Sequence, residues 1–228
     1  MLHAHGSKLG YDEVEASGEL CQAAKDSNLS MLQLLLDCDC SANAADYDQR
    51  TCLHLAASTG NLQITKLLID KGAQINAKDR WGGTPLRDAV REGRREVALH
   101  LRDCGGELGY NDVESAGELC ELAKNGSLDL LKVLVQVGCS VNAVDYDRRS
   151  CLHLAASEGN KPIVECLLDS GVDVNFRDRW GGTALRDAVH HGHKLNWICS
   201  MATEHSDCAH VAFAACDTSQ RVSVYAVR

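Results

Sequence analysis

Three sets of residues in this chain have the types and spacing that chemistry requires. His54 and His153 sit in the same heptapeptide, Cys-Leu-His-Leu-Ala-Ala-Ser, at 52–58 and again at 151–157. An imidazole titrates near neutral pH and could act as a general acid or base. No Ser or Cys nucleophile with a matching carboxylate recurs around either histidine, so no hydrolytic triad is built there. The second set is the twelve cysteines. No Cys-x-x-Cys pair exists. Cys38-x-Cys40 comes closest and is not the usual zinc spacing. Cys21/Cys120, Cys40/Cys139 and Cys52/Cys151 recur at one fixed offset, as buried structural positions would. His190, His191 and His193 would chelate a metal only adventitiously. No metal and no cofactor is therefore expected. The third set is aromatic and charged: Tyr47-Asp48, Arg80-Trp81, Tyr146-Asp147 and Arg179-Trp180. These residues suit recognition rather than catalysis, because Trp, Tyr and Arg dominate protein-binding hot spots. A glycine-rich phosphate loop is absent, and no kinase, hydrolase or oxidoreductase motif is present.

The elements that position these residues must be built from small side chains. Hydrophobic content is 45% but aromatics are only 4%, so Leu, Ala, Val, Ile and Cys form the core. Such a core suits closely packed helices, and two prolines leave long stretches free to be helical. A net charge of −9 repels a phosphate backbone on average, so nucleic acid is not an expected partner. No basic region followed by an apolar run opens the chain, and no run of about 18 apolar residues occurs. The cysteines then read as small apolar residues of a reduced protein. A cytoplasmic location, with the nucleus as the alternative, is expected.

Internal duplication organises the whole chain. Gly10-Tyr11-Asp12-Glu13-Val14 returns as Gly109-Tyr110-Asn111-Asp112-Val113, and Asp79-Arg80-Trp81-Gly82-Gly83-Thr84 returns unchanged at 178–183. The offset is 99 residues, and more than half of residues 10–90 match their partners. That block is three periods of about 33 residues. Leu53, Ala56 and Ala57 form one helical stripe, and Ile64, Leu67 and Leu68 a second. Gly72 and Gly171 are placed to end the second helix of a pair, and Gly60 and Gly159 to separate paired helices.

Thr51-Cys52-Leu53-His54-Leu55-Ala56-Ala57 resembles the T-P-L-H-x-A-A helix start of ankyrin repeats, and Thr84-Pro85-Leu86 keeps the proline. Ile64, Leu67, Leu68 and Gly72-Ala73-Gln74-Ile75-Asn76-Ala77 resemble that family's second helix and its exit. Ile163, Leu167, Leu168 and Gly171 to Asn175 repeat this, and Leu32, Leu35, Leu36 and Asn43 show it more weakly. The resemblance implies an all-α ankyrin-repeat solenoid with β-turn fingers, about six repeats in two duplicated three-repeat blocks. It implies that His54 and His153 brace one unit against the next rather than catalyse. It also implies a binding surface for another protein, made of the finger residues Tyr47, Asp48, Arg80, Trp81, Tyr146, Asp147, Arg179 and Trp180. Leu55, Asp88, Leu154 and Asp187 would join it from the groove face of the first helices.

The expected layout is a remnant of a preceding repeat at 1–11, a first block at 12–111, a second block at 112–195 and a non-repeat tail at 196–228. The last repeat is degenerate, because the match to the first block fails after Gly192. The tail is expected to be disordered or to carry a short strand at 222–227. Uncapped ends would expose apolar helix faces, so self-association is a further expectation. The expected function is a protein–protein interaction scaffold or adaptor with no catalysis of its own. The wording of the repeats also resembles small ankyrin blocks fused to glutaminases and asparaginases, plant-type kinases and potassium channels. The alternative is therefore a regulatory fragment of such a larger enzyme or ion channel.

Overall fold

In a computed structural model, residues 13–110 and 112–193 are described. The expected remnant at 1–11, the segment 194–199 where the duplication breaks, and the tail at 196–228 lie outside them. The described residues form eleven α-helices and no strand. None of these helices is long and apolar enough to cross a membrane.

The chain divides into two compact units, Met1–Gly109 and Tyr110–Arg228. The first contains α1 (Glu13–Lys25), α2 (Leu29–Asp37), α3 (Cys52–Thr59), α4 (Leu62–Asp70), α5 (Pro85–Arg91) and α6 (Arg95–Asp103). These are three antiparallel pairs. The leading helices α1, α3 and α5 pack in one layer, and the trailing helices α2, α4 and α6 in the other. The second unit contains α7 (Asp112–Asn125), α8 (Leu128–Val137), α9 (Cys151–Ser157), α10 (Lys161–Asp169) and α11 (Ala184–His190). Here α7, α9 and α11 form the leading layer, and α8 and α10 the trailing one.

Burial follows the stripes with one correction. Leu53, Ala56, Ala57, Ile64 and Leu68 are buried. A fully buried Leu or Ile contributes about 1.5–3 kcal/mol, so short helices are held by their neighbours rather than by propensity. Leu67 and Leu168, assigned above to the stripe, are only half-buried. The buried stripe of α4 is Ile64, Thr65 and Leu68, and that of α10 is Ile163, Val164 and Leu167. One residue along a helix turns the side chain by about 100°, which carries Leu67 to the stripe's edge. Thr65 is tolerated inside because its hydroxyl donates to the Asn61 carbonyl at 2.9 Å.

The first helix of the second pair starts on a polar latch. His54 Nδ1 accepts from the Thr51 N–H at 3.1 Å, and Thr51 Oγ1 lies 2.9 Å away. His54 Nε2 faces the carbonyl oxygen of Gly83 at 3.1 Å. A carbonyl only accepts, so Nε2 carries the proton and the ring is neutral. The histidine thus ties its own helix to the following repeat, as the resemblance implied. His153 repeats this with Ser150 at 2.8 Å and Gly182 at 3.3 Å. Asparagines add a second tie outside the helices. Asn43 Oδ1 accepts from Gln74 N at 2.7 Å, Asn76 Oδ1 from Glu107 N at 2.8 Å, and Asn142 Oδ1 from Asp173 N at 2.8 Å.

The turns ahead of α3, α5, α9 and α11 each close on an aspartate. Asp46 Oδ1 accepts from Asp48 N and Arg50 N, both at 2.9 Å. Asp79 Oδ1 accepts from Trp81 N at 2.9 Å and Gly83 N at 2.6 Å. Asp145 and Asp178 do the same for their own turns. The backbone then reverses through a left-handed residue. In the Trp turns that residue is glycine, Gly82 and Gly181, whereas in the Tyr turns it is Gln49 and Arg148, with φ of 59° and 56°. A side chain is strained there.

Gln49→Gly should raise the unfolding midpoint, adding about 0.5–1 kcal/mol in urea denaturation; an unchanged or lower midpoint would mean the turn is not held left-handed. Burial lowers the His54 pKa from its ordinary value, with the Gly83 carbonyl only partly offsetting this. The folded state therefore prefers the neutral ring. Its contribution is complete above about pH 6.5 and is lost as pH falls below that towards the folded value. Urea midpoints should drop on going from pH 7 to pH 5, and His54→Ala should flatten that drop while lowering stability at pH 7 by about 1–3 kcal/mol.

Candidate partner-binding surface

The stapled turns hold their backbones close together and turn their rings outward. Arg80 N donates to the Asp48 carbonyl, and Arg179 N to the Asp147 carbonyl, both at 2.9 Å. The side chains reinforce this link: Arg80 Nη1 lies 3.5 Å from Asp48 Oδ1, and Arg179 Nη1 lies 3.4 Å from Asp147 Oδ1. These exposed ion pairs are weak on their own, but the backbone bond beside them sets the register. The Arg80 guanidinium also sits 5.7 Å from the centre of the Tyr47 ring. Adjacent turns are thus joined by Arg and Asp. The aromatic rings are left open, with Tyr47 and Tyr146 each 90% exposed, Trp81 67% and Trp180 66%.

The helix-face residues divide differently. Leu55 is 8% exposed and Asp88 3%, so neither offers a free side chain to a partner. Leu55 is packed into the leading-helix layer. Asp88 is engaged by two arginines, Arg50 Nη2 at 2.9 Å and Arg91 Nη2 at 3.3 Å. Leu154 and Asp187, their counterparts in the second unit, remain partly open. Within each unit two exposed turns are therefore brought together, and of the four helix positions only Leu154 and Asp187, both in the second unit, stay partly open. The aspartate staples and the Arg50–Asp88 pair were not singled out from sequence. The staples did leave a signal, an Asp opening each of four turns at 46, 79, 145 and 178. Arg50 and Asp88 lie 38 residues apart, and only the fold joins them.

No other chemistry is assembled among the described residues. No group of three or more His, Cys, Asp or Glu is placed to hold a metal ion. The nine described cysteines are unbridged, with Cys21, Cys52, Cys120 and Cys151 buried and Cys40 and Cys139 half-buried. The Cys21 and Cys52 sulfurs are 3.7 Å apart. Burial pushes the Cys120 and Cys151 thiols up to about 12, so both stay protonated and unreactive. One open cleft of about 410 Å³ lies between α8 and α10, lined by Leu128, Val135, Pro162 and Cys166 with Lys132 and Glu165. It carries no convergent set of catalytic groups.

Comparison with known proteins agrees with this geometry. The family model described as ankyrin repeats (3 copies) matches residues 20–112 and again 119–208. Among solved structures, the chain is similar to the ankyrin repeat domain of Bcl-3, described as a unique member of the IkappaB protein family. The two share 26% sequence identity at a TM-score of 0.68, over 86% of this chain and 88% of that one. No curated protein matches the sequence. Ankyrin repeats generally mediate protein–protein interaction and are typically non-catalytic. Repeats, latches and stapled turns together place the chain in a family: it belongs to the ankyrin repeat proteins.

Proposed function

We propose that this chain is an adaptor that binds another protein through its β-turn fingers and has no catalysis of its own. The observation that carries this reading is the exposure of Tyr47, Trp81, Tyr146 and Trp180 in a chain with so few aromatic residues. Leaving a large ring in water forgoes its burial, and here the ring is held on a stapled backbone. A preordered aromatic anchor loses little entropy on docking, which is the property of a hot spot. Arg80, Arg179, Asp48 and Asp147 keep neighbouring fingers in register, and Leu154 and Asp187 extend the surface onto the leading helices. The match to the Bcl-3 ankyrin domain fits a binding role of this kind. The duplication supplies the Tyr and Trp finger set twice.

Trp81→Ala and Trp180→Ala test this reading because neither ring is part of the core. Each should weaken partner capture by about 10- to 30-fold, with helix content and unfolding midpoint unchanged. Affinity capture followed by titration of the recovered partner measures the first, and circular dichroism the second. Loss of helix content in both variants, or unchanged capture by the double variant, would contradict it.

A further inference from the structure

The two blocks treat one carboxylate differently. Asp88 on α5 is almost wholly buried and holds two guanidinium groups, Arg50 on Oδ2 at 2.9 Å and Arg91 on Oδ1 at 3.3 Å. Its duplicate, Asp187 on α11, holds neither. Arg149, the duplicate of Arg50, turns back to its own finger and donates Nε and Nη2 to Asp145 Oδ2 at 3.1 and 3.0 Å. The position of Arg91 is taken by His190. The Asp187 carboxylate makes no ion pair and no side-chain hydrogen bond with another described residue, although its backbone carbonyl accepts from His191 Nδ1 at 2.9 Å.

The surroundings favour an incoming cation. Asp187 is half-buried, and desolvation is the main cause that raises its pKa. Asp178, which staples the Trp180 finger, raises it further, while His153, His191 and Arg149 act the other way. Arg149 is already matched by Asp145. Asp178 at the base of the Trp180 finger is thus a second carboxylate acting on Asp187, in a chain whose net charge is −9.

We propose that Asp187 is a docking subsite for an arginine side chain of the protein partner. The sister block shows what this position accommodates: Asp88 receives guanidinium groups on both of its oxygens. In the second block the same position is presented without its internal arginines, beside an exposed tryptophan finger. A guanidinium fits better than an ammonium, because its planar fork can bond both carboxylate oxygens and its face can stack on an indole. The inference rests on the reading that the finger edge is the binding surface, and it adds the chemistry of one contact.

The probe is an acetylated, amidated hexa-arginine peptide titrated into the full chain by calorimetry at physiological salt. Asp187→Asn should weaken binding about tenfold. Asp145→Asn keeps an oxygen to staple the finger but frees Arg149 to close on Asp187, so it should also weaken binding. Asp169→Asn removes a charge from α10, away from the leading helices, and should leave binding unchanged. Hexa-lysine should bind the unaltered chain more weakly than hexa-arginine. Equal losses in the Asp187 and Asp169 variants, no loss in the Asp187 variant, or equal affinity for the two peptides would overturn the subsite. Circular dichroism of each variant confirms the fold, and Asp145→Asn keeps the test decisive if Asp187→Asn unfolds. If the tryptophan variants weaken partner capture as expected while Asp187→Asn leaves hexa-arginine binding intact, the subsite falls and the finger reading stands. If the tryptophan variants capture the partner normally while Asp187→Asn loses hexa-arginine, the finger reading falls instead.

Discussion

A pair of short helices cannot bury both of its apolar faces, and the rest of this structure depends on that constraint. Helices of seven to fourteen residues are marginal in isolation. Each pair is completed by the next pair in its unit, leading helix on leading helix and trailing on trailing. Apolar contact alone does not fix register, because a stripe of Leu and Ala can slide. The polar ties do. His54 reaches the Gly83 carbonyl, and Asn43 and Asn76 each reach the backbone of the following repeat. Buried hydrogen-bonding groups are costly when left unpaired, so only the register that satisfies them is stable.

The fingers inherit their order from this stacking. Asp46 and Asp79 staple successive turns, and the Arg80 N–H bonds the Asp48 carbonyl only when two repeats are in register. The second unit repeats the arrangement with Asp145, Asp178 and the Arg179 N–H. Polar side chains that would otherwise face water are consumed in holding the backbone, and the rings are what remain outside. The division of labour explains why the chain can have few aromatics yet expose most of those in its turns. Structural function and display are assigned to different residues of the same five-residue turn.

Much of this was legible in the sequence, for physical reasons that differ by residue. Helix starts at Thr51 and Thr84 and the breaks at Gly60 and Gly72 are local, so the repeat period and the all-α class could be read directly. The Leu67 and Leu168 assignments went astray because residues on adjacent helical stripes both satisfy a 3.6-residue period. Which stripe is buried depends on where the neighbouring helix packs. The burial of Leu55 and Asp88 was hidden for a related reason, since the groove expectation came from family geometry rather than from these side chains. The contrast between Asp88 and Asp187 could not be read from Arg50 and Arg149, which are the same residue at equivalent turn positions. The Arg91 to His190 and Gln49 to Arg148 differences were visible, but their consequence depends on partners that the fold supplies.

Stacked repeats hold the finger backbones rigid while the rings stand in solvent. Amide hydrogen exchange at Trp81, Gly83, Trp180 and Gly182 in the free protein tests this most directly, because these N–H groups donate to Asp79 and Asp178. Protection well above that of an unstructured loop, at positions beside exposed indoles, is the predicted result. Exchange at the rate of an unfolded chain would show that the fingers are not preordered and would contradict the account.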